Sequence, residues 1–120
     1  MATRYARGRQ FEYRVKRYYE NKGWFVIRSA GSKGIADIVA ISPDAIQIHF
    51  IQCKRAGYLS KSESKLIVET ARRFGALPVL ARTGKNSRSL ELLSINVNGS
   101  EYVYKPINID KYPAQEKDYE

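Results

Sequence analysis

Two apolar runs rich in β-branched residues, separated by a short polar turn signal, constrain the fold of this chain more than any other feature. The first run is GIADIVAI and the second is IQIHFIQCKR, with SPDA between them. Strand-forming runs around a short turn of this composition are typical of a β-hairpin. The sequence therefore predicts antiparallel strands at about residues 35–41 and 46–54.

The hairpin register would bring polar side chains together at its open end. If the turn centres on residues 44–45, Asp37 lies opposite Gln52. Side chains alternate between the two faces of a strand, so Gln52 and Lys54 project to one side and Cys53 to the other. Such polar groups at the end of an apolar hairpin indicate a candidate functional site.

An amphipathic helix is predicted ahead of the hairpin, from about Tyr5 to Asn21. Its apolar residues recur at spacings near three and four, the pattern of a helix with one buried face; they are Tyr5, Phe11, Val15, Tyr18 and Tyr19. Glu12 borders this apolar stripe. Taken alone, Glu12 could equally pair with Lys16 one turn later.

The rest of the chain predicts one further helix and several strands. A strand precedes the hairpin, at about residues 24–28. After the hairpin come a helix at about 61–74 and strands at about 78–82, 90–97 and 101–105. This order predicts an α/β fold in which helices pack on a mixed central β-sheet. Residues 1–107 would form a single domain and residues 108–120 a flexible tail.

The charge of the chain favours a polyanionic partner. Among 120 residues, Lys and Arg number 21 and Asp and Glu number 12, a net charge of +9. Nucleic acid is the leading candidate, followed by an anionic membrane surface. The alternative is a basic protein whose charge serves solubility alone.

The sequence also limits the site chemistry and the setting. One cysteine, Cys53, and one histidine, His49, argue against a disulfide framework and against a Cys- or His-based zinc site. We expect Cys53 to be a small buried residue and His49 to be either structural or exposed on the surface. No apolar run approaches the roughly 18 residues that span a bilayer, so we expect a soluble cytoplasmic protein without a membrane partner.

Asp37, Glu12 and Lys54 suit phosphodiester hydrolysis. Magnesium takes oxygen ligands and keeps several waters, so one or two carboxylates and a main-chain carbonyl are sufficient protein ligands. Asp37 and Glu12 can supply the carboxylates, and Cys53 the carbonyl. The Lys54 ammonium can orient the attacking water and stabilise developing charge. The simpler alternative is that Asp37 pairs with Lys33 or Lys54 at a sheet edge.

The order and spacing of these motifs resemble the PD-(D/E)xK nuclease superfamily and, within it, the archaeal-type Holliday junction resolvases, including viral and phage relatives. The resemblance covers about the first 85 residues. It rests on Gly8 and Glu12 and on four motifs, RSAGSK at 28–33, ADIVA at 36–40, QCK at 52–54 and ARRFG at 71–75.

The resemblance implies a restriction-endonuclease-like fold and a homodimer that resolves four-way DNA junctions by nicking two strands. The cofactor would be Mg²⁺, with Mn²⁺ as a substitute. The metal ligands would be Glu12, Asp37, Gln52 and the Cys53 carbonyl. The catalytic residues would be these side chains with Lys54 and with Ser32 near the scissile phosphate. The phosphate contacts would come from Arg4, Arg7, Arg9, Arg28, Lys33 and Arg55.

Gln52 departs from the family pattern, which has glutamate at this position. A neutral amide is a weaker metal ligand, and it removes one negative charge from the site. Two alternatives therefore remain beside junction resolution. One is a related nuclease that cuts other branched or nicked DNA, and the other is a catalytically silent DNA-binding module with the same fold.

Overall fold

A computed structural model describes residues 3–29, 35–84 and 88–111 of the chain. Two helices and six strands make up this part, followed by a short 3₁₀ turn. In chain order they are α1 (Arg4–Asn21), β1 (Phe25–Arg28), β2 (Ile38–Ile41), β3 (Ile48–Cys53), α2 (Lys61–Arg73), β4 (Leu77–Thr83), β5 (Leu90–Asn98), β6 (Glu101–Pro106) and the 3₁₀ turn Ile109–Lys111.

The six strands form one mixed sheet in which spatial order follows chain order, β1 to β6. All neighbouring strands are antiparallel except β3 and β4, which are parallel. A parallel pair needs a crossover connection, and α2 supplies it. The predicted α/β fold with a mixed, helix-flanked sheet is therefore confirmed.

The two faces of the sheet carry separate hydrophobic cores. On one face α1 contributes Phe11, Val15 and Tyr19, which pack against residues of β1 to β5. On the other face α2 contributes Ile67 and Val68, which pack against residues of β4 and β5. Because alternate residues of each strand enter alternate cores, the sheet is buried on both sides over its central strands.

The predicted hairpin has the register that the sequence implies. Ile38 pairs with Ile51 and Ile41 with Ile48, and the Ala45 N–H donates to the Ser42 carbonyl within the turn. This register centres the turn between residues 44 and 45, as predicted. The strands are shorter than predicted because regular pairing ends before Asp37 and after Cys53.

Local capping determines where both helices begin. Thr3 caps α1 by accepting a hydrogen bond from the Ala6 N–H, and Gly23, with φ of +88°, follows its C-terminus. Ser60 and Glu63 form a reciprocal capping box at the start of α2, which satisfies two backbone donors of its first turn. In the described ranges neither helix is long and apolar enough to cross a membrane.

Residues Ile107 and Ile109 pack against the rest of the domain. Ile107 donates its N–H to the Leu92 carbonyl, and Ile109 is 2% exposed within the α1-side core. An isoleucine buried this completely stabilises the folded state by about 2 kcal/mol, enough to hold a short segment in place. Residues 112–120 lie outside the described ranges.

His49 is structural rather than exposed on the surface, and it is buried as the neutral imidazole. The ring is 1% exposed and lies between Tyr19 and Trp24. Its Nε2–H donates to Gln47 Oε1 at 3.2 Å, and its Nδ1 accepts from the Tyr19 hydroxyl at 3.0 Å. This tautomer satisfies both nitrogens without a charge. Burial lowers the pKa of His49 to about 4.

We predict that His49 makes the protein less stable in mild acid. Between pH 6.5 and about 4 the unfolded chain binds a proton that the folded protein excludes, so stability falls as the pH falls. The loss approaches about 3 kcal/mol near pH 4. Denaturant unfolding of wild type and of His49→Phe across this pH range measures the free energy of unfolding and tests the prediction. The difference between the two proteins should follow this pH dependence, and a difference that stays constant would contradict the prediction.

Candidate active site

Asp37 lies one residue before β2, opposite the end of β3. Its N–H donates to the carbonyl of Ile51, the residue that already pairs with Ile38, at 2.9 Å, so regular pairing is interrupted at Asp37. Its carboxylate Oδ2 accepts the Cys53 N–H at 2.9 Å. Asp37 therefore does not pair with Lys54 at a sheet edge. One carboxylate oxygen is bound by β3, and this bond sets the orientation of the group.

Gln52 and Cys53 approach Asp37 in different ways. The Gln52 Nε2 donates to the Ile35 carbonyl at 2.7 Å, so the amide holds the segment that leads into Asp37. Among the residues that the structure describes, no donor occupies the Gln52 Oε1. Cys53 presents its backbone to Asp37, and because the N–H and C=O of one strand residue point to the same side, its carbonyl also faces β2.

Glu12 reaches the same end of the sheet from α1, where it pairs with Arg28. The Arg28 Nε donates to Glu12 Oε1 at 3.0 Å, and the exposed fractions of the two side chains are 15% and 20%. The guanidinium also stacks on the Tyr13 ring at 4.5 Å. The alternative pairing of Glu12 with Lys16 is wrong, because Lys16 instead pairs with Glu20.

Glu12 and Asp37 influence each other electrostatically. Burial raises the pKa of Glu12, the charge of Asp37 raises it further, and Arg28 partly offsets both effects. Burial likewise raises the pKa of Asp37, against the opposing effects of the Cys53 N–H and Arg28. Two carboxylates from different elements thus share a half-buried site in which additional positive charge is favoured.

Lys54 follows β3 directly and lies beside the first turn of α2. Its Nζ is 3.9 Å from Glu63 Oε1, the oxygen that also accepts the Ser60 N–H of the capping box. The negative charge of Glu63 also raises the pKa of Asp37. Glu63 therefore links the start of α2 to the site.

The remaining predicted residues are distributed around this group. Arg7, Arg9 and Arg55 are exposed, as phosphate contacts would require. Arg4 lies in the first turn of α1, but its side chain is not among those that the structure describes. Ser32 and Lys33 lie outside the described ranges. Arg28 differs from the other arginines because it neutralises charge inside the site.

Sequence reasoning missed two contributions to the site. It did not predict the pairing of Arg28 with Glu12 or the contact of Glu63 with Lys54. The pairing of Arg28 with Glu12 joins residues on different elements and leaves no local signal. Glu63 did have a signal, since Ser60 three residues earlier forms the S-x-x-E capping pattern. The thiol of Cys53 packs against the α1-side core, and burial raises its pKa, as expected for a structural cysteine.

The described residues contain no group of three or more His, Cys, Asp or Glu side chains placed to hold a metal ion. The candidate donor set is instead two carboxylates, one amide oxygen and one main-chain carbonyl. This set matches the requirements of magnesium, which binds proteins through one or two carboxylates and completes its shell with water and substrate oxygens.

The fold and the site together define a nuclease of the restriction-endonuclease-like class, and comparison with known proteins identifies the family. Residues 3–111 match the family model of the archaeal Holliday junction resolvase (Hjc). This chain belongs to that family. The crossover junction endodeoxyribonuclease Hjc of Methanocaldococcus jannaschii is 34% identical over 125 aligned positions, which cover 93% of this chain and 89% of that protein.

A solved structure shares the fold. The Holliday junction resolvase Hjc of Archaeoglobus fulgidus superposes with a TM-score of 0.66 at 21% identity, covering 87% of this chain and 98% of that one. The predicted relationship to the archaeal-type resolvases is therefore confirmed.

We predict that Gln52→Glu destabilises the protein in chelator. A carboxylate cannot donate to the Ile35 carbonyl, and it adds a third negative charge beside Glu12 and Asp37. The buried carbonyl then loses its partner, at a cost of about 1–3 kcal/mol. Thermal or denaturant unfolding measures this change.

The matched control is Gln10→Glu, which makes the same chemical change at an exposed position of α1. We expect the free energy of unfolding of this control to lie within about 0.5 kcal/mol of that of wild type. Equal stabilities for Gln52→Glu and wild type would show that the Gln52–Ile35 hydrogen bond makes no net contribution.

Proposed function

We propose that this protein resolves four-way DNA junctions by metal-dependent hydrolysis of two phosphodiester bonds. The proposal is supported by the electrostatic interaction of Glu12 with Asp37, and of Asp37 with Glu63, the partner of Lys54, in a member of this family. A module that only bound DNA would gain nothing from bringing two carboxylates together beside phosphates. Burial and mutual repulsion make this arrangement costly without a cation.

We propose that the ligands of a Mg²⁺ ion are Glu12, Asp37, the Gln52 Oε1 and the Cys53 carbonyl. Each carboxylate has one oxygen held by a protein donor, Glu12 by Arg28 and Asp37 by the Cys53 N–H. The other oxygen of each is the one we assign to the metal. The amide of Gln52 can hold Ile35 through nitrogen and bind metal through oxygen. Mn²⁺ would substitute, because it accepts the same oxygen ligands.

When bound, the metal would supply a Lewis acid that polarises the phosphoryl oxygen and makes a water nucleophilic near neutral pH. The chain supplies the rest. Lys54, positioned by Glu63, orients that water and compensates the charge that develops on the phosphorus oxygens. Arg28 orients the Glu12 carboxylate. Ser32, from the segment outside the described ranges, would contact the scissile phosphate.

The DNA contacts in this proposal depend on charge rather than sequence. Arg7 and Arg9 are exposed on α1, the helix that carries Glu12, and Arg55 follows Lys54 directly. Arg4, Arg28 and Lys33 complete the proposed set. Guanidinium groups bind phosphate oxygens in any sequence, so recognition of a junction would come from its shape.

Symmetric cutting of two strands requires two active sites, and the sheet offers a surface on which two chains could pair. α2 covers β3, β4 and β5 on its face of the sheet. Beyond it, Phe25 and Ile27 of β1 project to the same face and are 64% and 52% exposed. They lie opposite Ile41 and Val39 of β2.

The adjoining surface is also apolar. Ile46, in the β2–β3 turn, is 78% exposed, and Phe74, at the end of α2, is 60% exposed. Exposed apolar residues in this number mark an interaction surface. We propose that a second copy of the chain covers it. The apolar residues Leu92 and Leu93 do not add to this surface, because they lie in the two cores.

We predict that Asp37→Asn stops cutting but not binding. The substitution removes one charge from the metal site and retains an oxygen that can accept the Cys53 N–H. Cleavage of a labelled four-way junction in Mg²⁺ should fall by about a hundredfold or more, and wild type should be inactive in chelator. The control is Asp44→Asn, in the exposed β2–β3 turn, which should cut normally.

A duplex of equal length tests selectivity in the same assay. Cutting of flaps or nicked duplex in preference to the junction would favour the related-nuclease alternative. Junction binding without any magnesium-dependent cutting by wild type would favour the silent module.

We predict that Phe25→Glu with Ile27→Glu yields a folded monomer, because four buried carboxylates would face one another across the symmetric contact. Sedimentation velocity measures the oligomeric state. On a supercoiled cruciform plasmid, wild type should make linear product by paired nicks, and the variant should accumulate nicked circles. Val97→Glu, an exposed apolar position near the opposite edge of the sheet, is the control. If wild type sediments as a monomer and still makes linear product, the proposal that a dimer cuts both strands is wrong.

A further inference from the structure

A basic groove lies along the flank of α1 that faces away from Glu12. Its volume is about 440 Å³, and α1 and the start of β5 line it. The lining residues are Arg14, Arg17, Tyr18, Asn21, Ser89 and Leu90. Four of them recur on α1 at the spacing of neighbours on one helix flank. The groove is therefore continuous along two turns of the helix.

The two arginines of this groove, Arg14 and Arg17, form no ion pair with a carboxylate of the described residues. Glu20 of α1 pairs with Lys16, and Asp110 of the 3₁₀ turn pairs with Lys22. Two guanidinium groups thus face a concave surface without compensation.

Arg14 is also held in position before any ligand binds. Its NH2 group donates to the Arg88 carbonyl at 2.5 Å, which joins α1 to the segment that leads into β5. A guanidinium has five N–H donors, so this bond leaves most of them available. Holding the side chain in one place reduces the entropy lost when it binds an anion.

We propose that this groove binds the phosphate backbone of a DNA arm at a distance from the cutting site. The groove matches that ligand because it combines two uncompensated guanidinium groups with the Asn21 amide and the Ser89 hydroxyl, all suited to phosphate oxygens. No apolar pocket for a base is needed. The inference rests on the proposed function, which supplies the branched DNA.

The position of the groove relative to Glu12 determines which phosphates it contacts. Arg14 follows Glu12 by two residues, so the two side chains project roughly 200° apart around a helix about 10 Å wide. A contact in the groove is therefore about 10 Å from the metal site, which corresponds to roughly three base pairs of duplex. The groove would bind one arm of the DNA junction, and the Glu12 and Asp37 carboxylates would act where the strands cross between arms.

The test compares the salt dependence of junction binding by wild type and by Arg14→Gln with Arg17→Gln. Loss of two phosphate contacts should make the slope of log K against log salt less steep by about 2. The charge-retaining pair Arg14→Lys with Arg17→Lys should keep the wild-type slope. The matched control is Arg72→Gln with Arg73→Gln, two exposed arginines at the end of α2, which should also keep it.

Uncharged methylphosphonates locate the contact. Placed about three base pairs from the exchange point, they should weaken junction binding by wild type. They should cause no further loss of affinity in the Arg14→Gln with Arg17→Gln variant. The salt slope of the Arg14→Gln with Arg17→Gln variant could change no more than that of the Arg72 and Arg73 control. That result would overturn the proposal that the groove binds DNA, and it would leave the proposed function intact. Failure of wild type to bind branched DNA at all would overturn both.

Discussion

The pairing of β2 with β3 is the constraint on which the rest of this structure depends. The register that joins Ile38 to Ile51 places Asp37 beside the Cys53 N–H and the Ile35 carbonyl beside the Gln52 amide. A slip of one residue would turn every side chain of β2 to the opposite face. Asp37 would then enter the α1-side core, so the apolar alternation that fixes the sheet also fixes the site.

The negative charges of the site are only partly compensated by neighbouring positive side chains. Two half-buried carboxylates raise each other's energy, and Arg28 offsets only part of that cost. Glu63 pairs with Lys54 and adds a further negative charge near Asp37. An arrangement of this kind is unfavourable for stability alone and suits a site that receives a cation and a polyanion together. Gln52 moderates the cost because its amide adds no charge.

Sequence reasoning succeeded where the signal is local. The turn at residues 42–45, the two apolar runs and the register of the paired hairpin residues were all readable from alternation. It failed where contacts join distant residues. Glu12 pairs with Arg28 rather than Lys16, His49 is enclosed by Tyr19 and Trp24, and Ile109 docks into the α1-side core. Each of these contacts depends on how α1 lies across the sheet.

The sequence by itself determined the strands, their register and the excess of positive charge, because period-two alternation and turn chemistry act between near neighbours. The tertiary structure alone decided which partner each charged side chain takes, and it placed Arg14 and Arg17 in a groove where no carboxylate of the described residues pairs with them. The reason is that the packing of α1 on the sheet is set by many small apolar contacts between distant residues. No single pattern in the sequence therefore predicts how α1 packs on the sheet.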